Sequence, residues 1–323
     1  MKKAIPMLAA CASALSVACA GRLPKDPTAS TPIETWHDVS SMRHARSAHA
    51  VASTGRAIYA IGGTGEGGAP VLAVERFDGS GWSDITTLPG DGLNAPAAVA
   101  IGSRIYVIGG FKGVTNVPTA DVLVYDTATR LWSSAAPLPA PRGGHAAVVM
   151  DGRIHVIGGG NSQSTLADHY EYDPATNTWT TRAPLSRAKG SPAAVVYRGK
   201  LYSIGGRSGP TDFGDVEIYD PATDTWSRGP EIPARGTAGA AAYCATIYVF
   251  GGESQATRST LSEVLKLDTT ENVWRDAVPM RVARNYARAV PFRGSVYLIG
   301  GNTQVGMSHS SRGSTLVERF DAC

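Results

Sequence analysis

Five basic side chains occupy six equivalent points of this sequence. Each point lies thirteen residues before an aromatic or histidine residue, and the set is Arg46, Leu93, Arg142, Lys189, Arg235 and Arg284. Arg207, Arg258 and Arg312 add positive charge a short distance after Gly-Gly pairs. Guanidinium and ammonium groups bind carboxylates and phosphates through charge-assisted hydrogen bonds. If symmetry brings these points together, they form a basic ring that attracts an anionic ligand.

Acidic residues offer an alternative explanation for the same charges. Four repeats have an acidic residue at the same position, shortly before the third strand: Asp121, Asp168, Asp215 and Glu263. In that position they would neutralise Arg142, Lys189 and Arg235 in repeated ion pairs. Arg46 and Arg284 have no acid at the matching point, so surplus positive charge is expected beside them. Both interpretations stay open at this stage.

Other kinds of site find little support. The net charge is only +3 and no basic run is present, which argues against a nucleic-acid partner. His49 and His145 share one register but lack the further ligands that a metal site needs. The Gly-Gly pairs end strand patterns and are not followed by helices, so they are not phosphate-binding loops. The sequence predicts no metal and no cofactor.

The elements that position these residues follow a repeat of nearly constant length. The six tryptophans are spaced 46, 50, 47, 47 and 48 residues apart: Trp36, Trp82, Trp132, Trp179, Trp226 and Trp274. Six Gly-Gly pairs keep the same interval. A period near 47 indicates an array of one supersecondary unit.

Each unit reads as four short antiparallel strands. In residues 144–181 an apolar run is followed by the hairpin signal Asp151-Gly152, a second strand, a variable loop and two further strands. Aspartates mark the turn after the third strand of every unit: Asp78, Asp126, Asp173, Asp220, Asp268 and Asp321. Six such units predict an all-β, six-bladed β-propeller whose two faces differ in charge.

The two ends of the chain complete one blade. The last unit stops after its third strand, 316–321, whereas 35–38 around Trp36 is a fourth strand with no unit before it. Pairing the two removes an open sheet edge. The propeller domain is therefore predicted over residues 35–323.

The strand and loop pattern resembles the kelch repeat. The segment Ile-Tyr-Val-Ile-Gly-Gly at 105–110 is followed by Tyr125-Asp126 and Trp132, and the order recurs at 201–206, Tyr219-Asp220 and Trp226. The resemblance covers about 290 residues. It implies a six-bladed propeller whose ligands meet the face with the second-to-third-strand loops, but members include enzymes, adaptors and cytoskeletal binders.

A local stretch is similar to bacterial N-acetylneuraminate mutarotases, which are periplasmic kelch propellers. The similarity rests on residues 236–241 followed by Gly251-Gly252-Glu253 and Arg258. It implies that Glu253 acts as acid/base in sugar-ring opening and that Arg258 holds the substrate carboxylate. Both roles suit the chemistry of these side chains.

The N-terminus is typical of an export signal. Lys2 and Lys3 precede an apolar stretch that ends at 18–20 in an Ala-Cys-Ala cleavage motif, giving a signal over 1–20. A lipoprotein signal over 1–18 with lipidation of Cys19 is the alternative, and 21–34 is a flexible linker in either case. The expected location is periplasmic, outer-membrane-anchored or secreted. Within the propeller, Cys244 and Cys323 lie at different points of different repeats and are expected as two separate thiols.

Taken together, the sequence predicts an exported, monomeric ligand- or protein-binding module. An anionic ligand would bind at Arg46, Arg142, Lys189, Arg207, Arg235, Glu253, Arg258 and Arg284. The alternatives are a sugar mutarotase, with carbohydrate binding, and a structural scaffold. Membrane contact is expected only through the lipid anchor.

Overall fold

The computed structural model describes residues 33–113, 115–305 and 313–323. The predicted signal, the lipidation site Cys19 and most of the linker lie outside the described residues. Glu34, at the end of the predicted linker, is fixed: it pairs with Lys266 Nζ at 2.7 Å and accepts a hydrogen bond from the Val278 amide at 2.8 Å. In the described part of the chain no helix is long and apolar enough to cross a membrane.

The described strands form six four-stranded antiparallel sheets, the blades. The innermost strands are β2 (Ala50–Ser53), β7 (Ala97–Ile101), β12 (Ala146–Met150), β16 (Ala193–Tyr197), β22 (Gly239–Tyr243) and β28 (Arg288–Phe292). The second strands are β3 (Ile58–Ile61), β8 (Arg104–Ile108), β13 (Arg153–Ile157), β17 (Lys200–Ile204), β23 (Thr246–Phe250) and β29 (Ser295–Ile299). Each innermost strand contacts the innermost strands of both neighbouring blades, so the six blades surround a central channel.

The outer half of each blade completes the sheet. The third strands are β4 (Ala73–Phe77), β10 (Val122–Asp126), β14 (His169–Asp173), β20 (Val216–Asp220), β26 (Val264–Asp268) and β30 (Val317–Asp321). The outermost strands are β5 (Trp82–Thr87), β11 (Leu131–Ala135), β15 (Thr178–Arg182), β21 (Thr225–Arg228), β27 (Val273–Ala277) and β1 (Thr35–Asp38).

Short elements decorate one face. They are the 3-10 turn Glu66–Gly68 and the two-residue strands β6 (Leu93–Asn94), β9 (Phe111–Lys112), β18 (Arg207–Ser208), β19 (Thr211–Asp212), β24 (Glu253–Ser254) and β25 (Ser259–Thr260). We call this the loop face, because it carries the loops between second and third strands. The opposite side, with the hairpin turns, is the turn face.

Ring closure follows the prediction from the chain ends. Strand β1 pairs with β30, and Trp36 lies opposite Phe320 with ring centroids 4.9 Å apart. The sixth blade therefore takes its outermost strand from the N-terminal side of the propeller. This confirms the predicted fold class and blade count.

Each tryptophan fastens its blade to the preceding one. The Trp36 indole donates to the Val278 carbonyl at 3.1 Å, and the Trp82 indole donates to the Ser40 carbonyl at 3.0 Å. The pattern repeats around the ring, although Trp132 donates to the Thr86 hydroxyl at 3.2 Å. An indole that buries its ring and satisfies its N–H contributes more to stability than burial alone.

A disulfide corrects the prediction for the cysteines. Cys244 and Cys323 are bonded, with Cα atoms 5.7 Å apart. Cys244 lies in the turn between β22 and β23, and Cys323 follows β30 in the adjacent blade. Both positions are on the turn face. The two cysteines, which occupy different positions of the repeat, thus meet across the interface between adjacent blades.

Candidate functional site

Five of the predicted ligand residues are buried in the wall of the propeller. We call this set the girdle: Arg46, Arg142, Lys189, Arg235 and Arg284, each 3% exposed or less. Each girdle arginine donates from Nη1 to the carbonyl of the first glycine in its own blade's Gly-Gly pair, at 3.0–3.3 Å. The girdle side chains therefore hold the point where the second strand ends.

The girdle backbone holds the preceding blade as well. The amide of Gly110 donates to the Arg142 carbonyl at 2.8 Å, and that of Gly252 donates to the Arg284 carbonyl at 3.0 Å. Glycine is required here: Gly109 has a φ of +55°, and a Cβ on it would lie 2.6 Å from the Arg142 carbonyl oxygen. The Gly-Gly pairs and the girdle residues together join each blade to its neighbour through hydrogen bonds.

Two of the three repeated ion pairs considered from the sequence are present. Arg142 lies 3.0 Å from Asp168, and Lys189 lies 2.5 Å from Asp215. Glu263 acts on Arg235 electrostatically and opposes the lowering of the Arg235 pKa by burial.

The expected surplus of charge at Arg46 and Arg284 was wrong. Arg46 pairs with Glu75 at 2.9 Å, and Arg284 pairs with Glu318. Both carboxylates are buried, since Glu75 is 0% and Glu318 1% exposed. They come from the middle of the third strand, two residues before its phenylalanine, rather than from its start. A ligand role for the girdle stays a prediction, and its burial and pairing favour a structural role.

The loop-face mouth of the channel is built from one residue of each blade. These residues precede the innermost strands and all have left-handed φ angles of 48–60°: Ala48, Ala95, Gly144, Ser191, Thr237 and Tyr286. Their backbones form a chain of hydrogen bonds around the mouth, each amide donating to the carbonyl of the preceding member from Ala95 to Tyr286. These hydrogen bonds hold the backbone of the mouth in place, and the side chains determine its chemistry.

Polar side chains converge on one part of this mouth. Arg207 Nη1 contacts Glu253, and Arg207 Nη2 donates to the Tyr286 hydroxyl at 2.5 Å. Asn285 Nδ2 donates to the second oxygen of Glu253 at 2.5 Å. We call these four residues the mouth cluster. Arg207, from β18, and Glu253, from β24, are the two predicted site residues that the structure brings together.

Two further polar groups border the mouth cluster. Asp212 lies opposite Arg207 in the β18–β19 hairpin. It accepts a hydrogen bond from the Gln255 amide at 2.6 Å. Its other oxygen and the Asn285 side-chain oxygen are buried without a hydrogen-bond partner among the described residues. Burial raises the pKa of Asp212, and burial also raises the pKa of Tyr286. Buried acceptors of this kind favour a ligand that supplies N–H or O–H donors.

The mouth has a polar and an apolar half. Blades four to six contribute the mouth cluster and place Ser191, Thr237 and Tyr286 in the ring, whereas blades one to three place Ala48, Ala95 and Gly144 there. Tyr286 joins the halves: it starts in blade six, packs with Ala48 and Ala95, and reaches Arg207 of blade four. Its ring therefore spans the mouth.

Arg258 does not take the place predicted for it. It is exposed in the turn between β24 and β25, with a φ of +52°, and Arg207 instead contacts Glu253. Arg312 lies outside the described residues. Asn285 and Tyr286 were missed, although Tyr286 stands where the other repeats have only Ala, Gly, Ser or Thr, and this register was a usable signal.

The two histidines that share a register lie inside the propeller. His49 and His145 are buried, and burial, helped by Arg142, lowers the pKa of His145 to about 3. Within the described ranges no group of three His, Cys, Asp or Glu side chains could hold a metal ion.

The turn aspartates behave as the sequence indicated. Asp126, for example, accepts hydrogen bonds from the Ala128 and Thr129 amides at 2.8 and 3.2 Å. The Ser80 hydroxyl and amide lower the pKa of Asp78 to about 2. These carboxylates close the turns on the turn face.

Comparison with known proteins gives consistent matches. The model of the KLHDC2/KLHL20/DRC7 kelch-repeats domain matches residues 29–193 and 96–301. Kelch-like protein 35 of Mus musculus is 31% identical over 39% of this chain and 21% of its own length. Alpha-scruin of Limulus polyphemus is 33% identical over 39% of this chain and 14% of its own length. The chain thus spans about a fifth or less of these relatives.

A solved structure matches over most of the propeller. The structure of YjhT superposes with a TM-score of 0.73 at 18% sequence identity, covering 86% of this chain and 96% of that one. At this identity the likeness concerns the fold.

Proposed function

The chain belongs to the kelch-repeat family, whose propellers commonly serve as protein-binding modules, and from this premise we propose that it binds a protein segment at the polar half of its mouth. The mouth cluster carries the proposal. It places a cation, a carboxylate, an amide and a phenol on one side of a rigid opening, with small apolar residues opposite. The N-terminal sequence supports export as the setting.

Charge in the polar half favours hydrogen-bond donors over a simple anion. Two carboxylates, Asp212 and Glu253, lie beside the cation Arg207, and four of the five girdle cations form ion pairs inside the blades. The unsatisfied oxygens of Asp212 and Asn285 would accept N–H groups from an extended peptide. The predicted anionic ligand would have to displace Glu253 from Arg207. A peptide backbone with an apolar neighbour against Ala48 and Ala95 fits both halves.

A peptide-display selection on the wild-type propeller tests this proposal. Peptides that it enriches should bind saturably, and Asn285→Ala or Asp212→Ala should weaken binding at least tenfold, which is about 1.4 kcal/mol. Arg258→Ala is the matched control, because Arg258 lies exposed on the same face outside the mouth cluster. Selected peptides that bind both variants as tightly as the wild type would contradict the proposal. An absence of saturable binders would favour the structural scaffold.

A sugar mutarotase is the second candidate, and one contact favours it. Glu253 could exchange protons with a sugar ring while Arg207, rather than Arg258, holds a sugar carboxylate. Equilibration of N-acetylneuraminate anomers should then be faster with the protein, as followed by NMR. Glu253→Gln should abolish the acceleration and Arg258→Ala should retain it. Equal rates with and without protein would remove this candidate.

A further inference from the structure

One arginine breaks the symmetry of the channel wall. The first residue of each innermost strand lines the channel near its loop-face end. In five blades it is small, as Ala50, Ala97, Ala146, Ala193 and Gly239, and in the sixth it is Arg288. An arginine at this position is therefore not part of the pattern that the other five blades share.

Arg288 is held in place by a backbone carbonyl of the neighbouring blade. Its Nε donates to the His49 carbonyl at 2.8 Å, which leaves both terminal nitrogens for another partner. It makes no ion pair within residues 33–113, 115–305 and 313–323, and 306–312 contain no aspartate or glutamate. His145 lines the same space and is neutral, since burial lowers its pKa to about 3. Burial lowers the pKa of Arg288 as well, and a half-buried cation inside a channel is stabilised by an anion.

The space around Arg288 is small at one end and apolar beyond it. A cavity of about 120 Å³ lies among the first residues of the innermost strands. Tyr286 spans the mouth above it. Toward the turn face the channel continues as a section of about 570 Å³ that shares Val51, Ala98 and Ala194 with the cavity. No charged side chain lines that section among the described residues, and its wall is mainly alanine and valine.

We propose that the central channel binds a straight-chain aliphatic carboxylate that enters from the turn face. The carboxylate would accept two hydrogen bonds from the Arg288 guanidinium, the pairing that this planar group favours. The aliphatic chain would lie along the alanine and valine wall, where leaving water is favourable. The innermost strand runs roughly 13 Å from Arg288 to its end at about 3.3 Å per residue, which suits an extended short chain. Arg288 acts electrostatically on Tyr286 of the mouth cluster, but the proposed ligand enters from the opposite face and does not depend on the function of the mouth cluster.

Isothermal titration calorimetry with octanoate, acetate and octanol tests both parts of the site. Octanoate should bind saturably, and acetate and octanol should each bind at least tenfold more weakly, because one lacks the chain and the other the charge. No saturable binding of octanoate would overturn the proposal. Equal affinities for acetate and octanoate would also overturn it, because the site would then recognise the carboxylate alone.

Three variants locate the ligand. Arg288→Ala should weaken octanoate binding at least tenfold. Ala194→Leu keeps Arg288 but fills the apolar section, and it should weaken octanoate and spare acetate. Arg56→Ala, which removes an exposed arginine on the turn face, is the matched control and should bind octanoate as the wild type does. Wild-type affinity in Arg288→Ala, or equal losses in all three variants, would overturn the proposal. Peptide binding at the mouth should be unaffected by Ala194→Leu, so the two proposals fail independently.

Discussion

The girdle recurs in five of the six blades, whereas the mouth cluster is built from blades four to six. In the girdle each arginine donates to a glycine carbonyl of its own blade, and Arg46, Arg142 and Arg284 each pair with a carboxylate in or beside the third strand. In the mouth cluster Arg207 contacts Glu253 and Tyr286 of other blades. Around that cluster, acceptors of Asp212 and Asn285 have no partner in the described part of the chain.

The difference teaches how symmetry separates structural charge from functional charge. A contact that serves the same purpose in most blades is made from the same residue types, so it follows the repeat. A ligand site needs several different groups at one place, so it departs from the repeat. Arg288 departs in the same way, because five blades have alanine or glycine at its position.

Breaking one girdle pair should have the largest effect. Arg284→Met leaves Glu318 buried without its cation, and loss of one partner of a buried pair costs about 3–5 kcal/mol of unfolding free energy. Denaturant unfolding followed by tryptophan fluorescence measures it. The exposed Arg258→Ala should change stability by about 0.5 kcal/mol or less.

The double variant separates pairing from general damage. Arg284→Met with Glu318→Met removes both charges, and it should recover much of the loss because two apolar side chains can replace a buried pair. A single variant as stable as the wild type would show that the girdle does not hold the blades together. The comparison between girdle and mouth would then fail.

The fold could be predicted because its signals are local and repeated. Tryptophan spacing gave the blade count, and the unpaired strand around Trp36 gave the closure that its pairing with Phe320 confirms. The girdle–acid pairs in blades three and four were available from register as well. Each of these inferences needs only one repeat to be compared with the next.

The contacts that the sequence did not predict join residues at different positions of the repeat. Glu75 and Glu318 lie at another point of the third strand than the acids considered, and Cys244 and Cys323 occupy unlike points of adjacent blades. Register alone places a residue along its own blade but does not show which unlike positions meet across an interface. The register of Tyr286 did mark it as unusual, but register does not show that its hydroxyl reaches Arg207 of another blade.

A buried histidine beside the girdle should make stability depend on pH. Burial lowers the pKa of His145 to about 3, against about 6.5 when unfolded. Above pH 6.5 neither state is protonated at this site. As the pH falls below 6.5 the unfolded state takes up the proton first, so stability is lost progressively toward pH 3. At pH 5 the loss is about 2 kcal/mol.

The residues that other repeats have at the position of His145 indicate a suitable substitution for this test. Proline occupies the same register in Pro96 and Pro192, after residues with the same left-handed φ, so His145→Pro suits the backbone. Unfolding free energies measured from pH 7.5 to pH 5 should fall less steeply in this variant than in the wild type, by about 2 kcal/mol at pH 5. Parallel curves would mean that His145 is protonated in the folded state, next to Arg142 and Arg288.

The mouth cluster should tolerate a change that the girdle would not. Tyr286→Phe removes one hydroxyl but keeps the ring against Ala48 and Ala95, so unfolding free energy should fall by only about 0.5–1.5 kcal/mol. Tyr197→Phe is the control. The Tyr197 hydroxyl donates to the Ala245 carbonyl at 2.5 Å, and this hydrogen bond lies outside the mouth. Both variants should lose similar stability, while only Tyr286→Phe weakens peptide binding. A loss at Tyr286 as large as that of Arg284→Met would instead make the mouth cluster part of the structural framework, and a ligand site would then have to be sought elsewhere on the loop face.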